Sequence, residues 1–206
     1  MLEAYLPGLL LGFGLITPIG PQNVFVIGQG LTAGLSGAMW AVMSAGCCDT
    51  ILIVIGAAGV SGLLSAAPTA RIALLLAGSV FLSYLGIRQL RAEHGRLDEQ
   101  PPTKYTAGQI ISRTVSVSLL NPHAILDTVG VIGSAVTAQQ ANSRAVFAVG
   151  AISASWLWFL FLAISATRLG RYLHGRALLW FDRISGGIMI AFATAFLIEF
   201  CRTLAQ

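Results

Sequence analysis

Apolar residues fill this chain in long runs that only a few polar positions interrupt, and no charged residue stands between Glu3 and Asp49. A helix that crosses a bilayer needs about 20 mostly apolar residues. Six stretches reach that length, near 4–30, 37–60, 71–91, 110–136, 145–167 and 178–201. The connections at 31–36, 61–70 and 137–144 are short and rich in Gly, Ser, Ala, Thr or Asn, as turns are. The expected fold is therefore an all-α integral membrane protein of about six transmembrane helices. One polar stretch, Arg91 to Thr106, separates three helices from three. The expected organisation is one transporter domain over 1–206, with a first half at 1–92, a cytoplasmic loop at 93–109 and a second half at 110–206. An odd number of helices per half makes homologous halves inverted repeats.

The first and fourth stretches are expected to be broken. Gly14-Leu-Ile-Thr-Pro-Ile-Gly-Pro-Gln-Asn23 places Pro18 and Pro21 where a spanning helix should run on. Proline removes a backbone donor and clashes with the preceding turn, so the helix kinks or stops. A weaker echo is Ser118-Leu-Leu-Asn-Pro-His-Ala-Ile-Leu-Asp-Thr128. In lipid, an interrupted helix is tolerated only where protein buries it or a polar cavity receives it. Interrupted segments in matching places of two halves point to a transporter's binding site.

Composition agrees with a membrane chain. Of 206 residues, 56% are hydrophobic and 10% charged, against about 25% charged in soluble domains. Met1-Leu-Glu-Ala-Tyr has an acid and no base, unlike a signal peptide's basic start, so the first segment is expected to be retained. The net charge of +4 reports orientation and contact with anionic lipid rather than nucleic acid. Arg88, Arg91, Arg96, Lys104 and Arg113 surround the third connection, and Arg168, Arg171, Arg176 and Arg183 the fifth. Connections of opposite parity carry only Arg71 and Arg144. Positive loops stay in the cytoplasm, which places connections one, three and five inside and both termini outside. The uncharged first connection also leaves a re-entrant first segment open. Gly8/Gly12 and Gly30/Gly34 have G-x-x-x-G spacing, which permits close helix approach. Among 23 glycines such matches arise by chance, so a homodimer is left open rather than read from them.

Two acids fall inside apolar segments, Asp49 and Asp127. A charge at the bilayer centre costs about 2.5–3.5 kcal/mol on insertion scales, and no Arg or Lys lies at the same depth. Each is therefore protonated or facing a wet cavity, unless it is simply bonded to a neighbouring hydroxyl such as Ser44, Thr50 or Thr128. Counted from the ends, Pro18 to Pro21, Asp49, and Pro122 to Asp127 share one mid-membrane layer. Pro21 can restart a helix as its first residue, which frees the backbone N–H groups of Gln22 and Asn23. Asn121-Pro122 repeats the logic, with Asn as N-cap. A helix start attracts anions. Carboxylates for a cation beside helix starts for an anion fit a basic amino acid, held by Asp49, Asp127, Pro21, Gln22, Asn23, Asn121 and Pro122. The competing reading is that the prolines only kink helices for packing. His123 can titrate near neutral pH, although a lone histidine is more often a packing residue. The same bland reading holds for Cys47, Cys48 and Cys201 and for Trp40, Trp156, Trp158 and Trp180. No metal site and no cofactor are expected.

At Gly20-Pro-Gln-Asn-Val-Phe-Val-Ile and Leu120-Asn-Pro-His-Ala-Ile-Leu-Asp-Thr the chain resembles the lysine exporter (LysE/ArgO) family of bacterial amino-acid effluxers, over its whole length. Related threonine and homoserine effluxers typically carry an apolar residue where this chain has Asp127. Gly28 departs from the family, whose members often have arginine there. The resemblance implies export of lysine, arginine or an analogue across the bacterial inner membrane, coupled to proton influx. The partners expected are thus an amino acid, protons and membrane lipid, and not nucleic acid. Export of neutral amino acids or of a divalent metal ion is the alternative. An enzyme is set aside for want of a nucleophile–base pair, zinc spacing or nucleotide loop. A purely structural subunit would leave the paired breaks and the two acids unexplained.

Overall fold

The computed structural model of the chain describes residues 2–60, 68–91, 105–170, 172 and 176–204. Most of the charged central loop, including Arg96, Asp98, Glu99 and Lys104, lies outside them, as do 61–67 and His174. The described residues form helices α1 (Leu2–Ile16), α2 (Pro21–Ile55), α3 (Pro68–Leu90), α4 (Ala107–Leu119), α5 (Pro122–Ile125), α6 (Gly133–Thr137), α7 (Arg144–Gly170) and α8 (Arg176–Leu204). A π-helical turn, Gly56–Val60, extends α2, and a π-helical stretch, Leu126–Ile132, joins α5 to α6. Three of these runs are long and apolar enough to cross a membrane: Pro21–Ala58, Arg144–Gly170 and Arg183–Thr203.

Both expected breaks are present. The first helix closes with Thr17 N–H on the Phe13 carbonyl. Gly20 is extended (φ −105°, ψ −179°), and Pro21 then opens α2. The second break falls between Leu119, which ends α4, and Pro122, which starts α5.

Helix α2 is not one straight rod. Its 35 residues would measure about 52 Å at 1.5 Å per residue. Gly34, at φ 68° and ψ −165°, interrupts the helical backbone. Gln22 and Asp49 would stand about 40 Å apart on a straight helix, yet they share a hydrogen bond. The chain therefore folds back at Gly34 into two arms, 21–33 and 35–55. Val26 of the first arm packs with Ala38, Ala41, Val42 and Ala45 of the second. The connection expected at 31–36 is thus a tight reversal around one glycine.

Small residues let the helices touch along their backbones. A Cβ on Gly8 would lie 2.1 Å from the Phe147 carbonyl oxygen, and one on Gly12 2.7 Å from Ala154 Cβ. Helix α7 therefore lies against α1. Further along, Gly30 meets Ala163 and Ala166, and Leu31 meets Gly170, so the same helix runs beside the first arm of α2. The second arm packs on Ile110 of α4, and Gly56 beyond it meets Val129 and Gly133. Helices α3 and α8 pair through Leu75, Leu82, Ala193 and Phe196, and Leu85 and Met189 join them to Val24 and Val117.

The start of α4 is set by local chemistry. Thr106 accepts from Gln109 N–H and the Gln109 side chain accepts from Thr106 N–H, a reciprocal capping box. Its end follows from Asn121-Pro122, because the residue before a proline avoids the helical region.

Candidate functional site

The hairpin at Gly34 carries Gln22 back to Asp49. Gln22 Nε2 donates to Asp49 Oδ1 at 3.2 Å, and both side chains are buried, 8% and 7% exposed. The buried Ser155 hydroxyl of α7 faces the same carboxylate. Among the described residues, neutral groups from two other parts of the chain thus face this acid. The neighbouring hydroxyls do not serve it. Ser44 bonds the Trp40 carbonyl, and Thr50 bonds the Gly46 carbonyl at 2.6 Å. Thr50 also accepts from Trp156 Nε1 at 3.2 Å. The Trp156 ring lies over Gly46, where a Cβ would come within 2.8 Å of it. That tryptophan therefore has a hydrogen-bonding role as well as a packing one.

Asn23 holds the first break together. Its Nδ2 donates to the carbonyls of Ile16 and Pro18, both at 2.9 Å. Those carbonyls would have been helical acceptors had the helix continued, so one amide answers two acceptors that the break exposes. Asn121 acts comparably at the second break, where its Oδ1 accepts from Ala124 N–H at 3.4 Å. Both asparagines are buried, at 4% and 7% exposed.

The breaks converge on the layer of Asp49. Val24, just after the first break, packs with Val117, just before the second. Leu52, one turn beyond Asp49, packs with Ile125 and Val129, which follow the second break. Pro21, Gln22, Asn23, Asp49 and Asn121 are thereby brought to one region. The backbone of Pro122 opens α5 and that of Asp127 lies in the π-helical stretch. The side chains of Pro122, His123 and Asp127 lie outside the described residues. Among the described residues, no three of His, Cys, Asp and Glu come together.

A groove of about 400 Å³ runs outside this region, between the second arm of α2 and α4. Trp40, Met43, Cys47, Ile51, Ile111 and Leu119 line it. It is almost wholly apolar and excludes Asp49, Gln22 and Asn121, so it is a surface furrow rather than the polar site.

Sequence reasoning found the acid and the breaks but not Gln22 as the partner of Asp49, nor Ser155. The capping box at Thr106 was also missed, although Thr-x-x-Gln is a signal that could have found it. Nothing in the residue pattern signalled the π-helical stretches, which are frequent at functional sites.

Interrupted apolar helices that meet at a buried polar site are a pattern that points to a transporter's binding site. The chain belongs to the LysE type translocator family, whose pattern matches residues 13–200. It is 38% identical over 198 residues to the putative amino-acid transporter YisU of Bacillus subtilis (strain 168), covering 95% of this chain and 89% of that one. It is 36% identical over 197 residues to the putative amino-acid transporter YggA of Aeromonas salmonicida, covering 94% and 95%. The arginine exporter protein ArgO of Enterobacter sp. (strain 638) is 37% identical over 179 residues, covering 84% and 83%. No solved structure matches the chain.

Proposed function

We propose that this protein exports basic amino acids, arginine or lysine, across the bacterial inner membrane in exchange for protons. The observation that carries the reading is Asp49, a buried acid bonded by Gln22 at the meeting of two interrupted helices. A buried carboxylate whose partners among the described residues are neutral is poorly compensated, and a cationic side chain supplies what it lacks. The helix start at Pro21 faces the same layer and suits the cargo's carboxylate. The names of relatives as amino-acid transporters and as an arginine exporter support this cargo class.

Moving a cation out of a negative interior is opposed by about 2.3 kcal/mol per charge per 100 mV. A coupled proton offsets that cost if one acid alternates between holding the cargo cation and holding a proton. We assign that alternation to Asp49 and Asp127.

The architecture proposed is six spans in two inverted halves. The spans are α1 with 21–33, then 35–60, α3, α4 with α5 and α6, α7, and α8. Contacts exchange consistently between halves, which supports the repeat. The α1–α7 contact maps onto that of 35–55 with α4, and Gly30–Ala166 maps onto Gly56–Gly133. Alternating access then follows from rocking the halves about the central layer, with both termini outside as the loop arginines direct.

The test is efflux of labelled arginine or lysine from proteoliposomes, with and without an imposed proton gradient. Gradient-driven efflux that disappears in Asp49→Asn and in Asp127→Asn, in protein that still inserts, is the expected result. Wild-type rates from both variants, or no efflux of either amino acid by folded wild type, overturn the reading.

A further inference from the structure

The hydroxyl-bearing side chains of these helices follow a common habit. Thr32, Ser44, Thr50, Thr114, Ser153 and Thr194 each donate to the carbonyl one turn earlier on their own helix. Such back-bonding satisfies a hydroxyl where no water is available. Ser118 and Thr167 break the habit, and of the two Ser118 lies beside a helix break. It is fully buried at 0% exposed, and its Oγ makes no hydrogen bond. It faces the Cys48 thiol, a weak partner. A buried hydroxyl left unbonded is destabilising, and the carbonyl of Thr114, one turn earlier, stood within its reach. The side chain has turned away from its own backbone towards the neighbouring arm.

Its position explains the turn. Ser118 lies in the last turn of α4, two residues before the break. Val117 beside it packs on Val24, next to Gln22 and Asn23. The residue it faces, Cys48, precedes Asp49. The hydroxyl therefore stands where the two breaks and the buried acid converge, and it still has a hydrogen bond to make.

We propose that Ser118 is a cargo-binding residue, whose Oγ hydrogen-bonds the transported amino acid on the α4 side of the site opposite Gln22. The assignment rests on the reading of the central layer as an amino-acid site. Among the described residues no protein group satisfies the hydroxyl, and the bound amino acid supplies its partner.

A structural serine and a cargo-binding serine give opposite signs on removal. Ser118→Ala, Ser118→Thr and wild type are reconstituted, and arginine efflux is measured across a range of internal concentrations. Thermal unfolding of each protein in detergent is followed with and without arginine. In the expected outcome Ser118→Ala unfolds at the wild-type temperature or higher without arginine, since it loses an unsatisfied atom. Its KM rises about tenfold, the size of one hydrogen bond to a charged group, while its maximal rate stays near wild type. Its stabilisation by arginine shrinks, and Ser118→Thr restores most of the affinity. An unchanged KM in Ser118→Ala, or a large loss of stability without arginine, overturns the assignment. If wild type moves arginine and Asp49→Asn does not, that failure is specific to Ser118. If folded wild type moves neither arginine nor lysine, the amino-acid reading fails and this assignment falls with it.

Discussion

Gly56 and Gly133 touch backbone to backbone, so closely that a Cβ built on Gly133 would sit 2.7 Å from the Gly56 Cα. The contact joins the π-helical turn after α2 to the start of α6, on the side of Asp49 away from the Gly34 reversal. Overpacking a tight contact costs about 1–3 kcal/mol. Gly133→Ala is expected to lower the unfolding temperature in detergent, whereas Gly14→Ala or Gly187→Ala, with open space at the Cβ, leaves it within error. Equal behaviour of all three variants would show that the helices part easily here.

The bond from Gln22 to Asp49 ties the two arms of the α2 hairpin at the site. Hydrogen bonds to charged groups contribute about 1.5–3 kcal/mol. Gln22→Ala is expected to reduce efflux by roughly ten- to a hundredfold. In a double-mutant cycle with Asp49→Ala, read on the unfolding temperature in detergent, the two changes are expected not to add, since they remove one interaction. Strict additivity would show that Gln22 and Asp49 are not coupled.

Gly34 sets the reversal itself. Its φ of 68° with ψ of −165° belongs to a region that only glycine enters readily, at a cost to other residues of about 1–3 kcal/mol. Gly34→Ala is expected to lower the yield of folded protein. Gly34→Asn is not expected to rescue it, because asparagine favours the left-handed helical region, with positive ψ, rather than this one. Comparing folded yield by size-exclusion profile decides between them.

Trp156 clamps α7 onto the second arm through Thr50 and Gly46. Trp156→Phe keeps the ring contact and loses the 3.2 Å bond, a change of about 1 kcal/mol. Gly46→Ala drives a methyl group into the ring and is expected to be the more destabilising. The order of unfolding temperatures, wild type above Trp156→Phe above Gly46→Ala, checks both.

Prolines made the breaks legible, because Pro21 and Pro122 forbid a continuous ladder whatever surrounds them. The long apolar runs made the helices legible for the same local reason. The partner of Asp49 was not legible. It depends on how far the arm 21–33 slides along the arm 35–55, and that register is set by contacts such as Val26 on Ala41, which involve residues far apart in sequence. Asn23 was expected at the site for its backbone N–H, and its side chain proves to hold the broken ends at Ile16 and Pro18. The unbonded hydroxyl of Ser118 could be seen only once its neighbours were known, since in sequence it is one serine of three between Ser112 and Ser118.

The hairpin has a consequence for how the protein is made. It emerges from the ribosome with no charge between Glu3 and Asp49, and the first Lys or Arg of the chain is Arg71. Orientation is set by Lys and Arg in the loops, so the segment that holds Asp49 carries no instruction about which way to face. That instruction arrives with Arg88 and Arg91, after α1, α2 and most of α3 have been synthesised. The direction of the proposed transport site is thus expected to follow from arginines more than 35 positions further along the chain than Asp49.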